Sequence, residues 1–473
     1  MTQDVTCDLL VIGAGSGGLS VAAGAAQMGA KVVLLEKGEM GGDCLNYGCV
    51  PSKALLSAAT QAQAMRDAGR FGIAPVEPEI NYAAVMDHVA GAIATIAPHD
   101  SQDRFEGLGV KVIRAHGRFI GPTRVQAGGL TIAARRIVVA TGASPLVPPI
   151  DGLDQVPFLT NETLFELRSR PEHLIILGGG PIGMEMAQAH ARLGSRVTVI
   201  EADSALNRDD PDAAAIVLDK LRGEGVAIAD GARAARLSGQ AGAIRVEAED
   251  GRVFEGTHLL VALGRRPNTA DLDLEKAGIT TERGAITVDT RLKTSNRKVY
   301  AIGDVTGGLQ FTHLAGYEAG IVIRSALFGL PAKARYDHIP RATYTSPELA
   351  QVGLTESEAR EKYGDAMGIV TADYAGNDRA IASGKTTGWI KVMAVKGRPV
   401  GVTIVGADAG ELITIWALAL SKGLKLGDVA GMVAPYPTMS ELGKRVAGAY
   451  FSPKLFDNPW VKRAVGAVQR LLP

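Results

Sequence analysis

Two cysteines stand five residues apart in the segment Gly41-Gly42-Asp43-Cys44-Leu45-Asn46-Tyr47-Gly48-Cys49-Val50-Pro51-Ser52-Lys53. That spacing reaches disulfide geometry if the segment is a distorted helical turn in which Gly48 supplies backbone freedom. A dithiol of this kind takes up and gives back two electrons, and a nearby cation such as Lys53 would stabilise its thiolate. Zinc is a poor occupant, because a structural site needs about four ligands and the chain holds only 3 cysteines. Two ordinary buried thiols remain the bland alternative. Cys7, at the start of an apolar strand, has no cysteine near it and reads as a small buried hydrophobe.

The pair must be positioned by what precedes it. Asp8-Leu9-Leu10-Val11-Ile12 is a continuous apolar strand, of the kind buried on both faces of a parallel sheet. Gly13-Ala14-Gly15-Ser16-Gly17-Gly18 follows, then a small-residue helix from Leu19 to Met28 and a strand from Lys31 to Leu35 that ends in Glu36. The same grammar returns at Leu174-Ile175-Ile176-Leu177, with Gly178-Gly179-Gly180-Pro181-Ile182-Gly183, a helix through Arg192, and a strand from Arg196 to Ile200 closed by Glu201. In each unit the first glycine permits the tight turn, the second lets backbone approach a pyrophosphate, and the third lets helix and strand pack closely, while the closing acid accepts ribose hydroxyls. Two such units imply two nucleotide cofactors. A carboxylate at Glu201 repels a 2′-phosphate and favours NADH over NADPH, with Arg208 close enough to soften that choice.

Further strand ends deliver small or acidic residues: Val139-Ala140-Thr141-Gly142, Leu263-Gly264-Arg265-Arg266-Pro267-Asn268, and Ala301-Ile302-Gly303-Asp304. An acid at a strand's carboxyl end lies where open α/β sheets bind ligands. Beyond about residue 340 the texture changes to alternating strands, Trp389 to Met393 and Val400 to Val405, followed by helices.

Composition agrees with this organisation. The 473 residues predict about three domains at ~150 residues each. The 50 Lys+Arg balance the 50 Asp+Glu, which removes any sequence-wide attraction for nucleic acid or anionic lipid. At 46% hydrophobic and 21% charged the chain is too apolar for disorder. No run reaches the ~18 apolar residues of a membrane span. The 58 glycines point to many tight turns, and 3 cysteines cannot build an extracellular disulfide framework. The start, Met-Thr-Gln-Asp, shows no signal peptide. A reducing cytoplasm is therefore expected.

The order of glycine fingerprint, Cys-x4-Cys, Thr141-Gly142, second fingerprint, Gly264-Arg265-Arg266-Pro267-Asn268 and Gly303-Asp304 resembles the class I pyridine nucleotide–disulfide oxidoreductases, which include dihydrolipoamide dehydrogenase, glutathione reductase and mercuric reductase. The resemblance covers nearly the whole chain. It implies an α/β fold with two Rossmann-like dinucleotide-binding domains plus a C-terminal α+β dimerisation domain: 1–148 and 270–338 for FAD, 149–269 for NAD(P), and 339–473 as interface. It implies a homodimer in which hydride passes from NAD(P)H to FAD and on to a Cys44–Cys49 disulfide, Cys44 attacking substrate and Cys49 lying against the flavin. Lys53 would pair with Glu185. FAD would be held by Gly13, Gly15, Gly18, Glu36, Lys53, Thr141, Gly142, Gly303 and Asp304, and NAD(P)H by Gly178, Gly180, Gly183, Glu201 and Gly264; no metal is implied. His313 would open a helix facing the flavin, or be an ordinary surface histidine.

One stretch departs from the pattern. Where family members that act on organic disulfides present His-Pro-Thr-x-x-Glu, this chain reads Tyr436-Pro437-Thr438-Met439-Ser440-Glu441. A tyrosine, with an ordinary pKa of ~10, is a poor proton shuttle near neutrality. It resembles mercuric reductases there, yet no cysteine follows Cys49 and no metal-binding module precedes the first fold. The expected substrate is accordingly a disulfide, lipoamide among them, or a thiol-bound soft metal; a flavin NADH oxidase or diaphorase is the alternative from another class. His99 is assigned no chemistry. The last stretch, with Asn458 as cap and Pro459 at the first position, predicts an amphipathic helix from Trp460 to Leu472. Its three cations are few for a membrane surface, so it is expected to pack on its own dimer.

Overall fold

A computed structural model describes residues 3–472; Met1, Thr2 and Pro473, on which part of the reading of the chain's ends rests, lie outside the described residues. Strand β1 (Gln3–Ile12), helix α1 (Ser16–Gln27) and strand β2 (Val32–Leu35) form the first βαβ unit. Helix α2 (Gly42–Asn46) and helix α3 (Cys49–Arg66) follow, then β3 (Lys111–Ile113) and β4 (Leu130–Val139). The parallel order is β3–β2–β1–β4. Leu9, Leu10, Val11 and Ile12 are all buried, because helices or loops cover both faces of the sheet.

Both β1 and β4 begin earlier than their continuous apolar runs suggest. Gln3–Cys7 pairs with Leu130–Ala134, and the same stretch of β4 pairs antiparallel with Arg124–Ala127. Along β1 the extension is exposed at Asp4 and Thr6 and covered at Val5 and Cys7, so its pattern alternates and is weaker as a signal.

The second unit is a four-stranded parallel sheet built from β5 (His173–Leu177), α4 (Pro181–Arg192), β6 (Arg196–Ile200), β7 (Ala227–Ala229) and β8 (His258–Val261), in the order β7–β6–β5–β8. A short antiparallel ribbon, Ala143–Pro145 with Arg265–Pro267, joins the two sheets. The chain then returns to the first sheet: β9 (Val299–Ala301) lies parallel to β4, in register Val299↔Ile137, and leads to α5 (Thr312–Ala326), which packs beside α1. The first sheet is thus made from two separated stretches of chain.

The third unit is a five-stranded antiparallel sheet from β10 (Arg341–Thr343), β11 (Glu348–Gly353), β12 (Met367–Asp373), β13 (Trp389–Val395) and β14 (Arg398–Gly406), ordered β10–β11–β14–β13–β12. Trp416 fills its core, and α6 (Glu441–Ala449) packs against it. Lys391 on β13 reaches Asp210 at 2.9 Å and Glu356 at 2.8 Å, a nearly buried cation that fastens this sheet to the second unit. The last element is α7 (Pro459–Leu471). Among the described residues no helix is long and apolar enough to cross a membrane.

Candidate active site

The break between α2 and α3 brings the two cysteines together. Cys44 sits in α2 and Cys49 is the first residue of α3, with Tyr47 and Gly48 forming the kink. Gly48 does not take a positive φ; it is needed for room, since a Cβ there would lie 2.9 Å from Asp43 Oδ2 and 3.0 Å from the Asp43 carbonyl. The loop leans on the first glycine turn: the Gly41 amide donates to the Ala14 carbonyl at 2.9 Å, and Gly41 bridges Gly15.

Both cysteines are free thiols, Cys44 half-buried and Cys49 exposed. They differ in acidity. The Cys49 thiol is pulled down to about 6, chiefly by the hydrogen bond from Cys44; burial opposes this, and the Thr312 hydroxyl and the Lys53 ammonium add to it. Cys44, whose proton is held toward Cys49 and which is partly buried, is pushed far above the usual thiol range. At neutral pH the pair is a thiolate at Cys49 and a thiol at Cys44. Thr312 Oγ1 lies 3.3 Å from Cys49 Sγ and opens α5, so the positive end of that helix also faces the sulfur.

Lys53, one turn along α3 from Cys49, is held from two sides. Its Nζ is 2.8 Å from Glu185 Oε2 on α4, a buried carboxylate whose other oxygen accepts from the Tyr344 amide at 2.9 Å. The Tyr344 ring lies under the same ammonium, 4.5 Å from its centroid. The structure therefore gathers Cys44, Cys49, Lys53 and Glu185 in one place, and adds Thr312 and Tyr344. Sequence reasoning singled out His313 and passed over Thr312. His313 is the second residue of α5; its ring stacks on Phe311 and its Nε2 is 2.8 Å from the Pro340 carbonyl.

The two glycine turns fit nucleotide pyrophosphates. Gly15 and Gly180 each precede a helix without any side-chain cap. A Cβ at either would meet no atom closer than 4.0 Å, so protein packing does not demand glycine there, whereas bare amides open to an approaching phosphate do. The acids repeat one geometry. Glu36 accepts from the Ala14 and Gly38 amides, both at 2.6 Å, and Glu201 from the Gly179 and Asp203 amides at 2.6 and 3.0 Å. Each carboxylate keeps lone pairs for ribose hydroxyls.

Around the first sheet's carboxyl end, Thr141 and Gly142 are clamped by Asn268: Thr141 Oγ1 donates to the Asn268 carbonyl at 2.7 Å, and the Asn268 amide donates to the Gly142 carbonyl at 2.9 Å. The carbonyl of Gly264 accepts from the Leu146 amide. Gly303 donates to the buried Glu318 carboxylate at 2.7 Å. Arg265 binds Asp43 at 3.2 Å and Asp304 at 3.4 Å, tying the cysteine loop to the end of β9. Burial raises the Asp304 carboxyl above its ordinary range, against the pull of Arg265.

Tyr436 and Glu441 are not part of this gathering. Tyr436 stands in the third unit, 72% exposed, and its hydroxyl donates to Asp378 at 2.9 Å. That hydrogen bond and charge raise the phenol above its ordinary range. Glu441, in the first turn of α6, accepts from the Thr438 amide at 3.4 Å, so the tyrosine takes its carboxylate partner from elsewhere. Asp378, Glu441, Lys444 and Arg445 line a cleft of about 330 Å³ beside it. Among the described residues no group of three or more His, Cys, Asp or Glu could hold a metal ion.

The sequence pattern described as "Pyridine nucleotide-disulphide oxidoreductase" matches residues 7–319, and that of the family's dimerisation domain matches residues 339–447. The chain belongs to this family, and it is an FAD-dependent pyridine nucleotide–disulfide oxidoreductase. It is 36% identical over 452 residues to a mercuric reductase of Lysinibacillus sphaericus, covering 94% of this chain and 82% of that protein. It is 37% identical over 454 residues to a dihydrolipoyl dehydrogenase of Thermus scotoductus, covering 92% and 95%. Among solved structures it resembles the HOCl-induced flavoprotein disulfide reductase RclA from Escherichia coli, with a TM-score of 0.84 and 32% identity over 93% of this chain and 99% of that one.

Removing the Thr312 hydroxyl isolates one cause of the low thiol pKa. A hydrogen bond to a charged group contributes about 1.5–3 kcal/mol, or about one to two pH units. Thr312→Val is expected to move the Cys49 titration upward by that amount, so that at pH 7 much of the thiolate is lost. Ultraviolet thiolate absorbance against pH reads this directly, and an unchanged midpoint would remove Thr312 from the site.

Proposed function

We propose that this protein reduces a disulfide or a thiol-bound soft metal through Cys44 and Cys49, with NADH as the favoured donor and a second copy of the chain completing the substrate site. The observation that carries this reading is the meeting of Cys44 and Cys49 at the break between α2 and α3, set between Thr312 and the Lys53–Glu185 pair, which leaves Cys49 the more acidic of the two thiols. Bound FAD, which the first glycine turn fits, supplies the hydride acceptor that links NAD(P)H to the thiols.

The protein's own residues do the rest. With the pair reduced, the Cys44 sulfur attacks a substrate disulfide, and its proton leaves with the departing sulfur as one substrate thiol. The Cys49 thiolate then attacks Cys44, which closes the Cys44–Cys49 bond and releases the second substrate sulfur as a thiolate that takes its proton from solvent. Lys53, fixed by Glu185 and Tyr344, keeps positive charge beside the Cys49 thiolate. Gly13, Gly15, Gly18, Glu36, Thr141, Gly142, Gly303 and Asp304 would hold FAD, and Gly178, Gly180, Gly183, Glu201 and Gly264 NAD(P)H. We assign 1–148 and 270–338 to the first unit, 149–269 to the second and 339–473 to the dimerisation domain with its C-terminal amphipathic helix, in a reducing cytoplasm.

Tyr436 favours the soft-metal branch. Asp378 raises its phenol further, which makes it a weaker acid toward a leaving thiolate. A metal passed from one thiolate to another needs no such acid. The deciding measurement is single-turnover reduction by NADH and by NADPH, followed by addition of lipoamide, other disulfides or a Hg(II)-thiolate. We expect faster reduction by NADH, and reoxidation by the Hg(II)-thiolate at least tenfold faster than by lipoamide; the reverse order would place lipoamide first, and no reaction with any of them would overturn the reading.

A further inference from the structure

We propose that α7 is an interfacial helix that lays its apolar face on an anionic lipid surface. The helix is well started: Asn458 Oδ1 accepts from the Trp460 and Val461 amides at 2.9 and 3.4 Å, and Pro459 occupies the first position. At 100° per residue, Trp460, Val461, Ala464, Val465, Val468 and Leu471 fall on one arc, and Lys462, Arg463, Gln469 and Arg470 on the other. None of its residues is buried. Trp460 is 72% and Leu471 84% exposed, and just before the helix Leu455 and Phe456 are exposed too.

Two features select the partner. The polar arc carries three cations and no acid, in a chain whose total charge is zero. One-signed cations beside Trp and Leu suit phosphate headgroups above acyl chains. The guanidinium of Arg463 also lies over the Trp460 ring at 5.1 Å, at the rim between the two arcs. This departs from the expectation drawn from the cation count, because Leu455 and Phe456 add exposed apolar surface just ahead of the helix. The helix, about 20 Å long at 1.5 Å per residue, lies on such a surface and does not span it. The match to the family's dimerisation domain ends at residue 447, before it begins.

The test uses the full-chain holoenzyme with vesicles of phosphatidylcholine alone or mixed with phosphatidylglycerol. Expected is cosedimentation with the mixed vesicles only, with a blue shift of the exposed Trp460, since Trp416 is buried and Trp389 partly so. Replacing Lys462, Arg463 and Arg470 by Gln should weaken binding about fivefold per cation removed. Leu471→Ser with Val465→Ser should abolish it while leaving the sedimentation coefficient in free solution unchanged. Absence of binding to the mixed vesicles would overturn the proposal. So would a fall in the sedimentation coefficient of the apolar-face variant, which would mean the helix covers a second copy.

Discussion

Cys49→Ser holoenzyme, titrated anaerobically with NADH, is expected to show no long-wavelength absorbance from a thiolate beside bound FAD, and its turnover with a disulfide should fall by 10³-fold or more, roughly the loss expected when an essential nucleophile is removed. Cys44→Ser should lose the same turnover but keep the absorbance, because the introduced hydroxyl can still donate a hydrogen bond to the Cys49 thiolate. The two variants separate roles that the acidity difference assigns: one sulfur holds charge and the other attacks. NADH oxidation by small acceptors that bypass the thiols should continue in both. Undiminished NADH consumption in Cys44→Ser with a disulfide as the added acceptor would sink the dithiol assignment and leave a flavin oxidase or diaphorase. Retention of the absorbance in Cys49→Ser would reverse the two roles.

The next largest effects are expected at two glycines that contact no substrate. A Cβ on Gly18 would lie 1.9 Å from the Gly13 carbonyl oxygen, and one on Gly183 would lie 2.0 Å from that of Gly178. Both obstacles are backbone at the turn itself, so α1 or α4 must move off its strand to admit a methyl group, and the bare amides above the turn move with it. Gly18→Ala is therefore expected to purify with little bound FAD and to lose about 3–5 kcal/mol of stability, at the upper end for single substitutions. Gly183→Ala should keep its FAD and dithiol chemistry and lose reduction by NADH, with the donor's apparent affinity down by about two orders of magnitude, or ~2.7 kcal/mol. Flavin absorbance after gel filtration and stopped-flow reduction separate the outcomes. Equal flavin content and equal reduction rates in both would show that the turns are only structural.

Much of this arrangement can be read from local pattern. Each glycine turn is flanked by its own strand, helix and acid within about thirty residues, and the physics that calls for them is local. The Cys44–Cys49 loop follows at once. The missing pieces are those that folding brings from far away. Thr312 meets Cys49 across 263 residues, and a threonine at a helix start has a capping explanation that hides any other. Tyr344 meets Lys53 and Glu185 only because the third sheet docks against the second unit, and its apolar body reads as core. Asp378 holds Tyr436, but an acid in a helix's first turn is ordinary wherever it occurs. Arg265 lies inside the Gly264–Asn268 motif, whose local pattern does not show that it bridges Asp43 and Asp304.

The bridge between Gly15 and Gly41 has a consequence for how such a scaffold can change. Because the redox loop rests directly on the phosphate loop, inserting or deleting one residue between them would shift sulfur and pyrophosphate sites together, and neither can drift without the other. Tyr436 is under no such restraint. It lies on an exposed segment of another unit, reached through side chains alone, where replacements cost little stability. New substrate ranges in this architecture should accordingly arise by exchange at that distant edge while the electron-carrying centre stays fixed.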